Sequence, residues 1–295
     1  MWKYVLLVLA AGCSLGSLST ITKIGIGKGF SVGELLAGQF SIGWLILLLL
    51  LLLSKQKPSF KGVKFLLIGG VMIGCVSIFY TLAVSKLPAS IAVLLLFQFT
   101  WIGLVIDSLY HKKWPDVITF LSVSLLLIGT ILASGIMGSE KLAYDSLGVM
   151  LGLLSAICFA MYIFIMGRTS AEVPAIQKSF FMVTIAGVLV ITTFSPGSLL
   201  HEGLSLEWTL FGFFLAILGN IFPVLFMAIG VPKIGASMGT ILSSSELPAA
   251  VFLSAVVLHE AISTVQWSGV LLILVGIMIS QREVLGENKI KKKAA

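Results

Sequence analysis

Ten apolar runs in succession, each close to the roughly 20 residues a helix needs to cross a bilayer, constrain this chain more than any other feature. They occupy approximately 4–24, 32–53, 65–85, 89–110, 116–136, 147–167, 179–195, 208–229, 235–257 and 264–281. Turn and charge signals separate them, including Lys55-Gln56-Lys57-Pro58, His111-Lys112-Lys113-Trp114-Pro115, Ser195-Pro196-Gly197 and Val231-Pro232-Lys233. Hydrophobic residues make up 58% of the sequence and charged residues only 11%, against roughly 25% charged in an ordinary soluble domain. So few charges cannot cover a soluble surface of this size, which excludes cytosolic enzymes, secreted domains and nucleic-acid binders as default readings. The loops are too short to hold a separate soluble domain. Cys13, Cys75 and Cys158 all lie inside apolar runs and read as small buried hydrophobes, not as a disulfide framework.

Charge sets the expected orientation. With the N-terminus inside, the inner segments hold Lys3, Lys55, Lys57, Lys61, Lys64, Lys112, Lys113, Arg168, Lys178, Lys233, Arg282, Lys289, Lys291, Lys292 and Lys293, which is 15 of the 19 Lys and Arg. Lys23, Lys28, Lys86 and Lys141 fall outside. Basic residues concentrate on the cytoplasmic side of membrane proteins, so both termini are expected there, in the cell membrane. The net charge of +7 is thus a matter of orientation, and the Lys-rich tail at 282–295 suits anionic lipid headgroups better than nucleic acid. Ala10-Ala11-Gly12-Cys13 loosely resembles a lipoprotein cleavage site, but the apolar run continues past it and reads as a retained span.

Shifting the sequence by 147 positions lays one half on the other. Phe79 meets Phe226, Lys86 meets Lys233, Ala89-Ser90 meets Ala236-Ser237, Leu95 meets Leu242 and Gly129 meets Gly276. The expected architecture is an all-α membrane protein with ten transmembrane helices in two five-helix repeats, 3–136 and 146–281. Five is odd, so the second repeat enters the bilayer from the opposite side. Inverted repeats of this kind support alternating access around a midplane site.

The second half carries Val231-Pro232-Lys233-Ile234-Gly235-Ala236-Ser237, Glu246-Leu247-Pro248, His259-Glu260, Gly269 and Gly276; the first matches with Lys86-Leu87-Pro88-Ala89-Ser90 and Gly129. In these motifs the sequence resembles an EamA-type member of the drug/metabolite transporter superfamily. The first half departs where Trp101 replaces the proline and Lys113 the terminal Glu. The resemblance implies a carrier with a central cavity lined mainly by the first, third, fourth, sixth, eighth and ninth helices. It leaves the substrate open among amino acids, nucleotide-like metabolites, sugars and drugs.

Glu246 is the foremost site candidate. It lies 11 residues past Gly235, about 16 Å along a helix, which is close to the middle of a hydrocarbon core of about 30 Å. A carboxyl there must be neutral, paired or facing a wet cavity. It reads as a proton-coupling or substrate-cation site, or as a protonated hydrogen-bonding group that glues helices together. Pro248 cannot donate to the carbonyl of Ser244, so a kink with a free carbonyl is expected beside it. Ser243 shares its face, and Ser245 precedes it. Gln98 aligns with Ser245 in the other half. Asn220, beside Pro223 in the eighth run, is either a local cap on a proline kink or a substrate contact. Tyr80, Tyr162 and Trp101 either floor a cavity or pack. Asp107 is expected to pair with Lys112, Glu34 to stabilise a helix start, and Gln39 to bond between helices. Glu260 reads as a capping or gating residue or as a substrate contact. Gly12/Gly16, Gly70/Gly74, Gly148/Gly152 and Gly235/Gly239 are pairs that let helices approach closely.

These features favour a secondary active transporter of small organic metabolites or drugs, working outward and proton-coupled through Glu246, as a monomer or homodimer without a cofactor. A facilitated uniporter and a lipid flippase are the alternatives on the same fold, and a non-transporting scaffold is a further one. An intramembrane enzyme is disfavoured. His111, His201 and His259 lie near the expected membrane surfaces, His259-Glu260 lacks a second metal-binding His, and Gly25-x-Gly27-x-Gly29 lacks a strand–helix setting. No ATP-binding loop occurs in the sequence.

Overall fold

The computed structural model describes residues 2–54, 62–87, 89–134, 145–169, 173–194, 205–257, 259 and 262–293, and its regular elements are all helical, with no strand among the described residues. The first half contains α1 (Trp2–Gly27), α2 (Val32–Leu53), α3 (Val63–Lys86), α4 (Ala89–Leu96), α5 (Phe99–His111) and α6 (Val117–Ala133). The second contains α7 (Ser146–Arg168), α8 (Ala175–Phe194), α9 (Leu206–Leu215), α10 (Phe222–Ile234), α11 (Ala236–Ser243), α12 (Glu246–Val257) and α13 (Thr264–Lys293). A π-helical stretch, Ala216–Ile221, joins α9 to α10. Eight helical stretches are long and apolar enough to cross a membrane, counting Ile91–His111, Leu206–Ile234 and Ala236–Val257 as one each. Val117–Ala133 and Thr264–Ile279 are shorter apolar helices. The readings at Lys55, Lys57, Lys61, Pro88, Lys141, Ser195-Pro196-Gly197, His201 and Glu260 lie outside the described residues.

Helix starts follow local chemistry. Ser31 and Glu34 form a reciprocal capping box, in which Glu34 N–H donates to Ser31 Oγ at 3.3 Å and Ser31 N–H donates to Glu34 Oε2 at 2.7 Å. Asp116 caps α6, Asp145 caps α7 and Ser205 caps α9. Lys86 Nζ also donates to Asp145 Oδ2 at 3.2 Å. That bond, with the Leu147 N–H, holds the Asp145 carboxyl below its ordinary range. The contact therefore stabilises above the usual carboxylate pKa and is lost as pH falls through the lowered value.

The main helix pairings repeat between the halves. α1 packs on α10 and α12, while its counterpart α7 packs on α3 and α4–α5. α2 lies on α8 and α9, and α8 lies on α2 and α3. α6 packs along α13, and α5 crosses α11. Each half is therefore incomplete alone: its helices bury themselves chiefly against the other half.

Three expectations need correction. The fourth apolar run is an interrupted helix, not a single rod, while the disruptions expected beside Pro223 and Pro248 take the form of a π-helical stretch in the eighth run and a two-residue turn in the ninth. α8 begins at Ala175, four residues earlier than the apolar run, which places Lys178 within the helix. Asp107 meets His111, with His111 Nδ1 to Asp107 Oδ1 at 3.3 Å, and not Lys112. His111 is one turn away on the same helix face, whereas Lys112 ends the helix at φ 51° and turns off that face.

The ends of the bundle differ in how their cations are treated. Lys28 pairs with Glu207 at 2.9 Å and Lys86 with Asp145, both at the end where α7 and α9 begin. Lys3, Lys112, Lys113, Arg168, Lys178 and Lys233 belong to the other end by the direction of their helices, and no ion pair to a carboxylate is formed by any of them among the described residues.

Cys75 of α3 and Cys158 of α7 bring their thiols into hydrogen-bonding contact, while Cys13 is exposed. The sequence offered no sign of this, because the two residues come from different halves. Copper phenanthroline with oxygen is expected to join them by removing two protons and two electrons. After denaturation, maleimide would then label Cys13 alone. Three labelled thiols after oxidation would contradict the α3–α7 register.

Candidate functional site

The candidate site is built around two helix breaks. In the second half, α11 stops at Ser243, Ser244 and Ser245 form a turn, and α12 starts at Glu246. Pro248 then falls in the first turn of the new helix, where its missing N–H costs no hydrogen bond. The Ser244 carbonyl is not free as expected: it accepts from Leu247 N–H at 3.4 Å, a lengthened tight-turn bond. The three serines are buried. Ser243 Oγ donates to Gly239 O at 2.8 Å and Ser244 Oγ to Thr240 O at 3.3 Å, both one turn back. Ser245 Oγ reaches across to Leu9 O of α1 at 3.0 Å.

In the first half, the break between α4 and α5 falls at Phe97-Gln98, which the 147-residue shift lays on Ser244-Ser245. No proline enforces it. Gln98 N–H bonds Leu95 O at 3.2 Å, tightening the turn, so Leu94 O loses its usual partner. The Gln98 side chain supplies the replacement, donating from Nε2 to Leu94 O at 3.1 Å. Trp101 Nε1 donates to Gln98 Oε1 at 2.8 Å and holds it there. Trp101 itself is exposed. Gln98 and Trp101 thus form one local unit that does the work proline does in the other half.

Glu246 is the first residue of α12, where the positive end of a helix favours negative charge. It is half-buried, and its Oε2 is buried without a hydrogen-bond partner among the described residues. Tyr80 of α3 lies within electrostatic reach of it. The repeat mate of Glu246 is Phe99, which is fully buried and packs edge-on to Phe159 of α7 at 4.7 Å between ring centroids. The chain therefore places a carboxyl at one break and an aromatic ring at the other. Tyr162 stacks on Phe159 at 6.2 Å, and its buried hydroxyl also lacks a partner among the described residues.

Asn220 sits apart from this centre, buried in the π-helical stretch. Gln39 Nε2 donates to Asn220 Oδ1 at 3.1 Å, and Asn220 Nδ2 donates to Gln39 O at 3.2 Å. This two-way clamp ties α2 to the π segment, so the Gln39 expectation of an interhelical bond is met there. Pro223, near the start of α10, cannot donate to Gly219, and Ser14 Oγ of α1 donates to the neighbouring Leu218 carbonyl at 2.7 Å.

Close approach of α1 makes the centre possible. A Cβ on Gly12 would strike Ser245 Oγ, and one on Gly16 would strike the Glu246 carbonyl and lie 2.9 Å from Ala249 Cβ. The glycine pair thus presses α1 onto the break. At the far side, Gly103 of α5 admits Thr240 of α11.

Helix breaks at matching places in the two halves, the same helix pairings in both and eight stretches long and apolar enough to cross a membrane define a two-repeat, all-helical membrane-protein architecture. The EamA-like transporter family matches residues 2–135 and 146–281, and the chain belongs to that family. A Synechocystis sp. protein described as an uncharacterized transporter is 26% identical over 225 residues, covering 71% of this chain and 65% of that protein, so the match spans slightly under two thirds of that relative's length. A Salmonella typhimurium protein described as an uncharacterized inner membrane transporter is 22% identical over 228 residues, covering 77% of this chain and 75% of that protein. Among solved structures, one crystal structure superposes with a TM-score of 0.75 at 18% identity, covering 94% of this chain and 98% of that one, which shows a shared fold.

The packing at the break yields a direct test. Gly16→Val forces α1 away from Glu246 and is expected to cost about 1–3 kcal/mol through overpacking. Gly27→Ala, where a Cβ meets nothing within 4 Å, is expected to leave thermal stability unchanged. Equal melting temperatures for Gly16→Val and wild type would contradict the contact.

Proposed function

We propose that this protein is a secondary active carrier that exports small organic metabolites or drugs across the cytoplasmic membrane by alternating access, exchanging them for protons at Glu246. The observation that carries the reading is the unpartnered Oε2 of Glu246, buried where one half's helix is broken. In an apolar interior such a carboxyl must be neutral, paired or facing a wet cavity. A group that can be protonated in one state and ionised beside a cationic substrate in the other satisfies that requirement in both. Tyr80 lies within electrostatic reach of Glu246. Ser243, Ser245, Gln98, Asn220, Tyr162 and Trp101 complete the proposed set. Of these, Ser243, Ser245, Gln98, Trp101 and Asn220 shape the helix breaks and their packing, and Tyr162 offers a buried hydroxyl without a partner among the described residues.

In this reading ten helices span the bilayer as two inverted repeats with both termini cytoplasmic. The 17 residues of α6 extend about 26 Å, close to the thickness of the hydrocarbon core. The end with unpaired cations is the cytoplasmic one, in keeping with the distribution of Lys and Arg in short segments. Helix breaks at matching depth give each half a hinge, and the cross-half pairings of α1 and α7 provide surfaces for rocking.

The test uses purified protein in liposomes enclosing a pH dye, with pooled metabolites and drugs added outside. Wild type is expected to move protons on addition of the pool, and Glu246→Gln is expected not to. Counterflow exchange of the active compound is expected to survive in the variant. Accumulation of substrate against its gradient by Glu246→Gln would overturn the coupling assignment, and wild type that carries substrate only down its gradient, without proton movement, would leave a facilitated uniporter.

A further inference from the structure

The carrier reading leaves the thiols of Cys75 and Cys158 unused. They touch across the contact between α3 and α7, so each half of the chain supplies one sulfur. Both are half-buried, and neither is in a disulfide. The last residue of α3, Lys86, meets Asp145 at the start of α7 at 3.2 Å, so the two helices run antiparallel from that point. Cys75 lies 11 residues before Lys86 and Cys158 13 residues after Asp145, about 17 and 20 Å along their helices. Both thiols therefore fall near the middle of an apolar core of about 30 Å.

Close packing seats α7 in this register. A Cβ on Gly148 would lie 2.8 Å from Leu87 Cγ, and one on Gly152 would lie 2.8 Å from Leu95 Cβ. The fold thus holds the two sulfurs together before any ligand arrives, and the ordering that a dithiol site requires is already met by folding.

Thiol chemistry narrows what the pair can hold. Thiolate is the metal-binding form, and soft ions prefer it. Zinc takes four ligands, and no group of three or more His, Cys, Asp or Glu placed to hold a metal occurs among the described residues. The ion that fits is therefore a two-coordinate one. Copper(I) or silver(I) between two thiolates leaves one net negative charge, which an apolar interior strongly disfavours. Mercury(II) between two thiolates is neutral.

We propose that Cys75 and Cys158 form a two-coordinate mercury(II) site that joins α3 of one half to α7 of the other. Mercuric chloride is itself neutral and enters apolar surroundings. In the binding step both S–H bonds and both Hg–Cl bonds break and two Hg–S bonds form. Two protons and two chlorides leave to water, and no electron is transferred. The site does not depend on Glu246 or on the direction of transport. The bridge requires the packed α3–α7 contact, so its occupancy stabilises the folded chain.

The test uses the full chain in phosphatidylcholine nanodiscs, with Cys13→Ser as the parent because Cys13 is an exposed thiol outside the pair. One equivalent of mercuric chloride is expected to add one mercury and remove two hydrogens in the intact mass, and to raise the melting temperature. Cys75→Ser and Cys158→Ser, each made in that parent, are expected to lose mercury to excess glutathione at least about tenfold faster, because only the paired thiols hold the ion intramolecularly. Zinc is expected to wash out of the parent. The proposal is overturned if the folded parent takes up no mercury, if either single-thiol variant retains it as long as the parent, or if the parent holds zinc as firmly, which would require further ligands.

Discussion

Inside a membrane a backbone N–H or C=O cannot turn to water, so wherever a spanning helix is interrupted another group has to take up its hydrogen bonds. This chain interrupts three of its long apolar stretches, and the substitutes can be named. At Phe97-Gln98 the Gln98 amide takes the Leu94 carbonyl. At Ser244-Ser245 the turn tightens, Pro248 needs no acceptor, and the serine hydroxyls bond back along α11 or across to α1. Between α9 and α10 the helix widens into a π turn, and Ser14 and Gln39 reach in from α1 and α2. The π-helical repair draws on Ser14 of the first half, and the Ser245 hydroxyl reaches Leu9 O of α1, so both breaks also tie the halves together.

The repeat supplies a scaffold and the departures from it supply chemistry. Phe99 and Glu246 occupy matching places at the two breaks, yet one is packed among aromatic rings and the other leaves an oxygen without a partner. Lys86 and Lys233 are likewise mates, one neutralised by Asp145 and the other placed near a second lysine. In the proposed export cycle the proton gradient sets the direction, and the carboxyl at one break is the group through which that gradient acts.

Much of the helical layout was legible because it depends on local sequence. Length and hydropathy mark the apolar stretches, Ser31/Glu34 marks a helix start, and Pro248 marks a disruption. The break at Gln98 was not legible, because no proline announces it and its stability comes from a side-chain bond that no periodicity encodes. The partner of Asp107 was missed because the turn at Lys112 is left-handed. Contacts across the halves, such as Cys75 with Cys158, Gln39 with Asn220 and Gly16 with Glu246, join residues far apart in the chain and needed the packed structure. Lys178 reads in sequence as one more loop charge, and only the earlier start of α8 reveals its burial.

The central claim is that Glu246 presents in the apolar interior a carboxyl whose Oε2 has no hydrogen-bond partner among the described residues, and carbodiimide labelling tests it most directly. Dicyclohexylcarbodiimide partitions into apolar regions and modifies carboxylic acids there. Mass spectrometry of the treated protein in liposomes is expected to place the adduct on Glu246, and Glu246→Gln to abolish it. A folded wild-type protein that carries no adduct at Glu246, or an unchanged yield in the variant, would contradict the claim.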